Sequence, residues 1–148
     1  MTELETLLAI EEIKKVKARY FYGLDHKNWE LWRRAVFAPN ATLEVPEIPI
    51  RVEGRDRIIA WVAERTADQE SVHHGHTPII EITSESSASA IWAMEDRLYR
   101  PMGTPFANGR TYLHGFGHYH ETYARTLEGW RITSTRLARL RVESTFVT

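Results

Sequence analysis

Cysteine is absent from the 148-residue chain. That excludes a disulfide framework, a thiol nucleophile and a thiolate zinc site. An excess of one charge is missing too: 19 Lys and Arg face 20 Asp and Glu, a formal net charge of -1. With no basic block, the chain has no electrostatic footprint for nucleic acid. No apolar run approaches transmembrane length, and the acidic start Met1-Thr2-Glu3-Leu4-Glu5 is unlike a signal peptide. Gly-rich phosphate loops, dinucleotide fingerprints and GxSxG elbows are also absent. The expectation is a cytoplasmic protein without a nucleic-acid or membrane partner and without a cofactor. Residues 1–148 are read as one domain, since no repeat or linker divides them.

What the chain does have is an organised helical half followed by a strand-like half. Leu7, Ile10, Ile13, Val16, Tyr20 and Leu24 recur at steps of three and four, which predicts a helix over about Thr2 to Leu24. Gly23 is read as its weakening end. Asn28 caps a short helix, Trp29 to Phe37, and Ala41 to Val45 is a candidate strand. A third helix runs from Gly54 to about Thr66. Ser71 through His76 carries three histidines at the entrance to a strand, Ile79 to Ser84. Ala88 to Tyr99, Gly109 to Thr126 and Trp130 to about Val142 follow as long antiparallel strands. Gly115 and Gly117 are read as points of bending. The fold class expected is therefore α+β, with three helices covering a strongly curved, mainly antiparallel sheet around an internal pocket.

The chemistry centres on Asp25 and His73. A carboxylate accepting from one ring nitrogen fixes the tautomer and raises the basicity of the other, which makes a general base. The same two residues equally suit a satisfied buried pair or two unrelated surface groups. Tyr20 lies five positions before Asp25 and can offer a phenol to the same space, or simply complete the apolar stripe. Alternation puts Asp96 in line with Trp92 and Met94, where it suits a general acid or a hydroxyl binder, or else an ion pair with a neighbouring strand's arginine. Of the late arginines, Arg125, Arg136 and Arg139, one can neutralise a charge in the site. Arg139 and Arg141 are read as solvated. The histidines of the strands, His118 among them, suit a pocket lining better than a metal site, and no metal is expected. Trp32, Trp61, Trp92 and Phe116 are further pocket candidates, their inward or outward placement depending on register.

Ile13-Lys14-Lys15-Val16-Lys17-Ala18-Arg19-Tyr20 through Leu24-Asp25, then Trp29-Glu30-Leu31-Trp32 through Phe37-Ala38-Pro39-Asn40-Ala41, resemble the opening of a SnoaL-like domain of the NTF2-like superfamily. Gly54-Arg55-Asp56-Arg57-Ile58 and Glu128-Gly129-Trp130-Arg131-Ile132 resemble its third helix and last hairpin. The resemblance implies a cone-shaped fold. It also points to the superfamily's cofactor-free lyases, such as the bile acid dehydratase, scytalone dehydratase and lindane dehydrochlorinase. Tyr20, Asp25, His73 and Asp96 resemble the active residues of that group, Arg136 its active arginine, and Arg125 a strand arginine of the dehydrochlorinase. The resemblance implies a dehydratase acting on a hydroxylated steroid-like, polycyclic or aromatic substrate. Isomerases, polyketide cyclases and small-molecule binding modules share the fold and stand as alternatives. It implies a hydrophobic small-molecule partner and a homo-oligomer, trimer or dimer.

Overall fold

The computed structural model describes residues 1–147. Helix α1 spans Glu3–Asp25, α2 Trp29–Ala35 and α3 Arg55–Arg65. The strands are β1 Phe37–Val45, β2 Ile50–Glu53, β3 Glu70–Ser84, β4 Ser87–Tyr99, β5 Tyr112–Thr126 and β6 Gly129–Thr145.

Helix α1 starts at a capping box. The Thr2 hydroxyl accepts from the Glu5 backbone N–H, and the Glu5 carboxylate accepts from the Thr2 N–H. Its buried stripe is Ala9, Ile13, Val16, Tyr20 and Leu24, with Lys17 on the same side. The helix ends in a left-handed turn at Lys27, with φ 54°, which swings the chain into α2. Gly23 is not a weak point. A Cβ there would stand 2.6 Å from the Trp32 ring, so the glycine lets α2 approach α1 closely. Trp32 is fully buried, stacks on Tyr20 at 4.9 Å between ring centres, and donates its Nε1–H to the Tyr20 carbonyl at 2.9 Å.

The strands form one sheet in the order β2-β1-β6-β5-β4-β3. The fold is α+β with three helices, but the expected strong curvature of the sheet into a cone is corrected. The sheet is open, with β2 and β3 as its two edges, and mixed, because β1 runs parallel to β6. The physical reason lies in the glycines. Gly115 and Gly117 serve local crowding by Arg139 rather than a large-scale bend.

Strand β3 begins at Glu70, nine residues before the expected start at Ile79. The histidine cluster is therefore part of the sheet edge, paired with β4 from Glu70–Tyr99 onward. Its register shifts between His76 and Ile79, around Pro78. Proline cannot donate to a ladder, and an edge strand tolerates it. The core fills the space between the helices and the inner sheet face. Ile13, Val16, Trp32, Ile58 and Val62 meet Trp92, Met94, Tyr119, Tyr123 and Ile132 there. No helix among the described residues is long and apolar enough to cross a membrane.

Candidate functional site

Asp25 is the last residue of α1, and the edge strand β3 passes beside it. The Asp25 carboxylate accepts three hydrogen bonds from that strand. His73 Nδ1 stands 2.6 Å from Oδ1, the His73 backbone N–H donates to Oδ2 at 2.9 Å, and the Ser71 hydroxyl donates to Oδ1 at 2.8 Å. A carboxylate only accepts, so the ring carries its proton on Nδ1 and leaves Nε2 as the free lone pair. Burial raises the pKa of Asp25, but the hydrogen bonds from His73 and Ser71 outweigh it and hold the carboxyl below its ordinary value.

On the other side of the imidazole, Nε2 lies 3.6 Å from Asp96 Oδ2. That gap is too long for a hydrogen bond. Asp96 is almost fully buried, on the inner face of β4. Both its oxygens accept from Arg139 on β6, at 2.8 and 2.7 Å. The guanidinium reaches Asp96 by crossing β5 at Gly115, where any Cβ would collide with Arg139 Nη1. Burial works against the Arg139 charge, and the hydrogen bonds and charge of Asp96 overcome it and raise its pKa.

His73, Asp96 and Arg139 line one cavity of about 140 Å³, with Asp25 behind the imidazole. His73, Asp96, Arg139, Tyr20 and Tyr119 are at its polar end, and Leu43, Val45, Trp61, Leu98 and Leu137 supply apolar wall. The two phenols are fully buried, which raises the pKa of both. Each is therefore a neutral hydrogen-bond donor or acceptor. Beneath the Tyr20 and Tyr119 rings lies Lys17, 3.9 and 3.5 Å from their centres, paired with Glu121 at 2.8 Å. Among the described residues no group of three or more His, Asp or Glu is placed to hold a metal ion.

The structure thus brings together Tyr20, Asp25, His73, Asp96 and Trp61. It places the other candidates elsewhere. Arg136 lies half exposed on the outer sheet face, with Nε 3.9 Å from Glu44. Arg139, read from the sequence as solvated, occupies the site instead. Trp32 sits behind Tyr20, and Trp92 is core, donating Nε1–H to the Tyr123 hydroxyl at 3.1 Å. Phe116 and His118 alternate with Gly115, Gly117 and Tyr119, and so point to the outer face. Arg125 is exposed at the far end of β5.

Sequence reasoning missed Arg139, Tyr119, Lys17 and Glu121. For Lys17 and Glu121 a signal existed. Lys17 lies four residues after Ile13, inside the apolar stripe, and Glu121 alternates with Tyr119 and Tyr123. Charged residues in such positions are buried and paired, or absent.

The profile of the SnoaL-like domain family matches residues 5–136. The chain belongs to that family. Among solved structures it is similar to a protein of Novosphingobium aromaticivorans assigned provisionally as a scytalone dehydratase, with a TM-score of 0.82 at 18% identity. That match covers 99% of this chain and 94% of the other. A hexachlorocyclohexane dehydrochlorinase of Novosphingobium barchaimii gives 0.82 at 14% identity, over 99% of both chains. An NTF2-like superfamily protein of Salmonella enterica gives 0.76 at 19%, covering 90% of this chain and 92% of that one. At such identities the likeness is one of fold.

Proposed function

We propose that the protein is a cofactor-independent lyase, a dehydratase that removes water from a hydroxylated carbonyl compound. The observation that carries this reading is the Asp25–His73 dyad at the polar end of an otherwise largely apolar cavity. His73 Nε2 takes the proton from the carbon next to the carbonyl. The C–H electrons form the new C=C bond and the C–O bond on the next carbon breaks. The imidazolium returns its proton to the departing hydroxyl, so one water leaves and the ring ends neutral. Tyr20 donates to the developing enolate oxygen, a role its retained proton allows. Asp96, its charge balanced by Arg139, accepts from the substrate hydroxyl before it departs. Two neighbours in fold carry names for eliminations, a dehydratase and a dehydrochlorinase, and this favours the same reaction class.

The cavity volume bears on substrate size. A cavity near 150 Å³ accepts a single benzene-sized ring, so about 140 Å³ favours a compact, one-ring hydroxylated substrate over a steroid. Incubation with a panel of cyclic β-hydroxy ketones, followed by mass spectrometry, tests the reading. Loss of the mass of one water is expected, and an unchanged mass with a new isomer would instead make the enzyme an isomerase. Full turnover by His73→Ala on a confirmed substrate would remove His73 from its role.

A further inference from the structure

The group in the site that the elimination leaves without a direct part is Arg139. Its placement is costly in sequence terms. It needs a bare Gly115 to cross β5, because a Cβ there would collide with its guanidinium. It is also committed wholly to Asp96, with one nitrogen on each carboxylate oxygen.

His73 lies between two carboxylates. Asp25 from α1 holds Nδ1 at 2.6 Å, and Asp96 from β4 faces Nε2 at 3.6 Å. The other titratable groups lining the same cavity are Tyr20 from α1, Tyr119 from β5, Glu44 from β1 and Arg139 from β6. Helix α3 contributes Trp61 and Val62, neither of which titrates. Glu44 is engaged by Arg51. A carboxylate within about 4–6 Å of an imidazole favours the protonated ring. A histidine flanked by two free carboxylates is held as a cation and has no lone pair with which to take a proton.

We propose that Arg139 is a positioning residue for the base: by occupying both oxygens of Asp96 it stops that carboxylate from drawing a proton onto Nε2 of His73, and so keeps Nε2 an acceptor. The proposal rests on the reading of His73 as the base. It gives Gly115 a purpose, and it explains why a carboxylate can stand beside the acceptor nitrogen and still bind a substrate hydroxyl. The acceptor capacity of Asp96 is retained, while its charge is spent on the guanidinium.

The test needs no substrate. The seven histidines are titrated by NMR of their ring protons, with the His73 signals assigned by their loss in His73→Gln. Arg139→Met frees Asp96, and the His73 midpoint rises by about 1–2 pH units. Asp96→Asn leaves the ring facing an unpaired guanidinium, and the midpoint falls. Arg139→Met/Asp96→Asn returns it close to wild type. Opposite shifts from the two single variants are the signature, because a merely structural pair would move the midpoint in neither or in the same direction. An unchanged midpoint in Arg139→Met, or a rise in Asp96→Asn, overturns the proposal. Should Arg139→Met not fold, Asp96→Asn alone decides: a fall supports it and no change overturns it. These outcomes are separable from those of the lyase assay. The shifts without any elimination on the ketone panel would sink the lyase reading alone, and elimination without the shifts would sink this one alone.

Discussion

Replacing Lys17 with methionine keeps most of the side-chain volume and deletes one buried charge. Lys17 and Glu121 have no side-chain exposure, and Nζ is 2.8 Å from Oε2. Without the ammonium, Glu121 keeps only the Tyr123 and Thr135 hydroxyls, each donating at 2.6 Å. Stranding one member of a buried pair costs about 3–5 kcal/mol. The lost contacts with the Tyr20 and Tyr119 rings add about 1 kcal/mol. Lys17→Met/Glu121→Gln removes the stranded charge and recovers at least about 2 kcal/mol of this. Urea denaturation of the four proteins at neutral pH measures the cycle. A second arm uses pH. Burial lowers the Lys17 pKa from 10.5 to about 8 against the pull of Glu121. The folded value lies below the unfolded one, so between these two values the unfolded chain binds more protons and stability rises with pH. The full penalty is present below about pH 8 and is relieved above it. From about pH 8 to about pH 9.5 the gain is roughly 2 kcal/mol, at about 1.4 kcal/mol per unit. Lys17→Met lacks that rise. A single variant within about 1 kcal/mol of wild type, or parallel pH slopes for the two proteins, would refute the reasoning.

The remaining expectations follow from the same geometry. Asp25 has a folded pKa below its unfolded value, so its contribution is full above the ordinary carboxylate range and is lost as pH falls through the folded value. Asp25→Asn costs about 1–2 kcal/mol at neutral pH and flattens the acid limb of the stability curve below about pH 4; superimposable acid limbs would count against it. Gly115→Ala forces Arg139 aside and costs about 1–3 kcal/mol in thermal unfolding, and a wild-type melting curve would mean that the arginine has another route. Trp61 lines the cavity and Trp92 does not. Trp61→Ala therefore weakens binding of any confirmed ligand, whereas Trp92→Phe lowers stability by about 1 kcal/mol, through the lost hydrogen bond to Tyr123, and leaves ligand affinity alone.

Much of the helical half was legible because it depends on local periodicity. The stripe Ile13, Val16, Tyr20, Leu24 predicts both the helix and its buried face, and places Asp25 just beyond its last apolar turn. Asp25 and His73 stand out by their chemistry and by the family resemblance, and their meeting depends on where the edge strand begins. Polar residues from Glu70 to Thr77 conceal that start, because an edge strand with an exposed outer face carries no continuous apolar run. The curvature expected from Gly115 and Gly117 failed for a related reason. A glycine in a strand marks either a bend or a close approach, and only the position of Arg139 decides between them.

The arginine itself shows where reading by alternation must stop. Trp130 and Ile132 are buried on the inner face, and a period of two from them carries Arg136 inward and Arg139 outward. The register of β5 against β6 shifts between Tyr123–Ile132 and Thr122–Ser134, which leaves Thr133 as an extra residue. That one insertion exchanges the faces, so Thr135, Leu137 and Arg139 turn inward and Arg136 turns to the outer face. A second shift, between Gly117–Arg139 and Phe116–Arg141, leaves Leu140 unpaired and exposed. Arg139 therefore sits between two bulges, opposite Gly117 and two pairs from Gly115. The extra residue at Thr133 is what sets the odd-numbered positions after it, Arg139 included, on the inner face. Deleting Thr133 would remove the extra residue itself, so Ser134 would follow Ile132 on the outer face and Thr135, Leu137 and Arg139 would stay inward. Asp96 would keep its partner, so the deletion is expected to leave the His73 midpoint at its wild-type value, and a shift would show that the bulge itself, rather than the face it sets, positions the arginine.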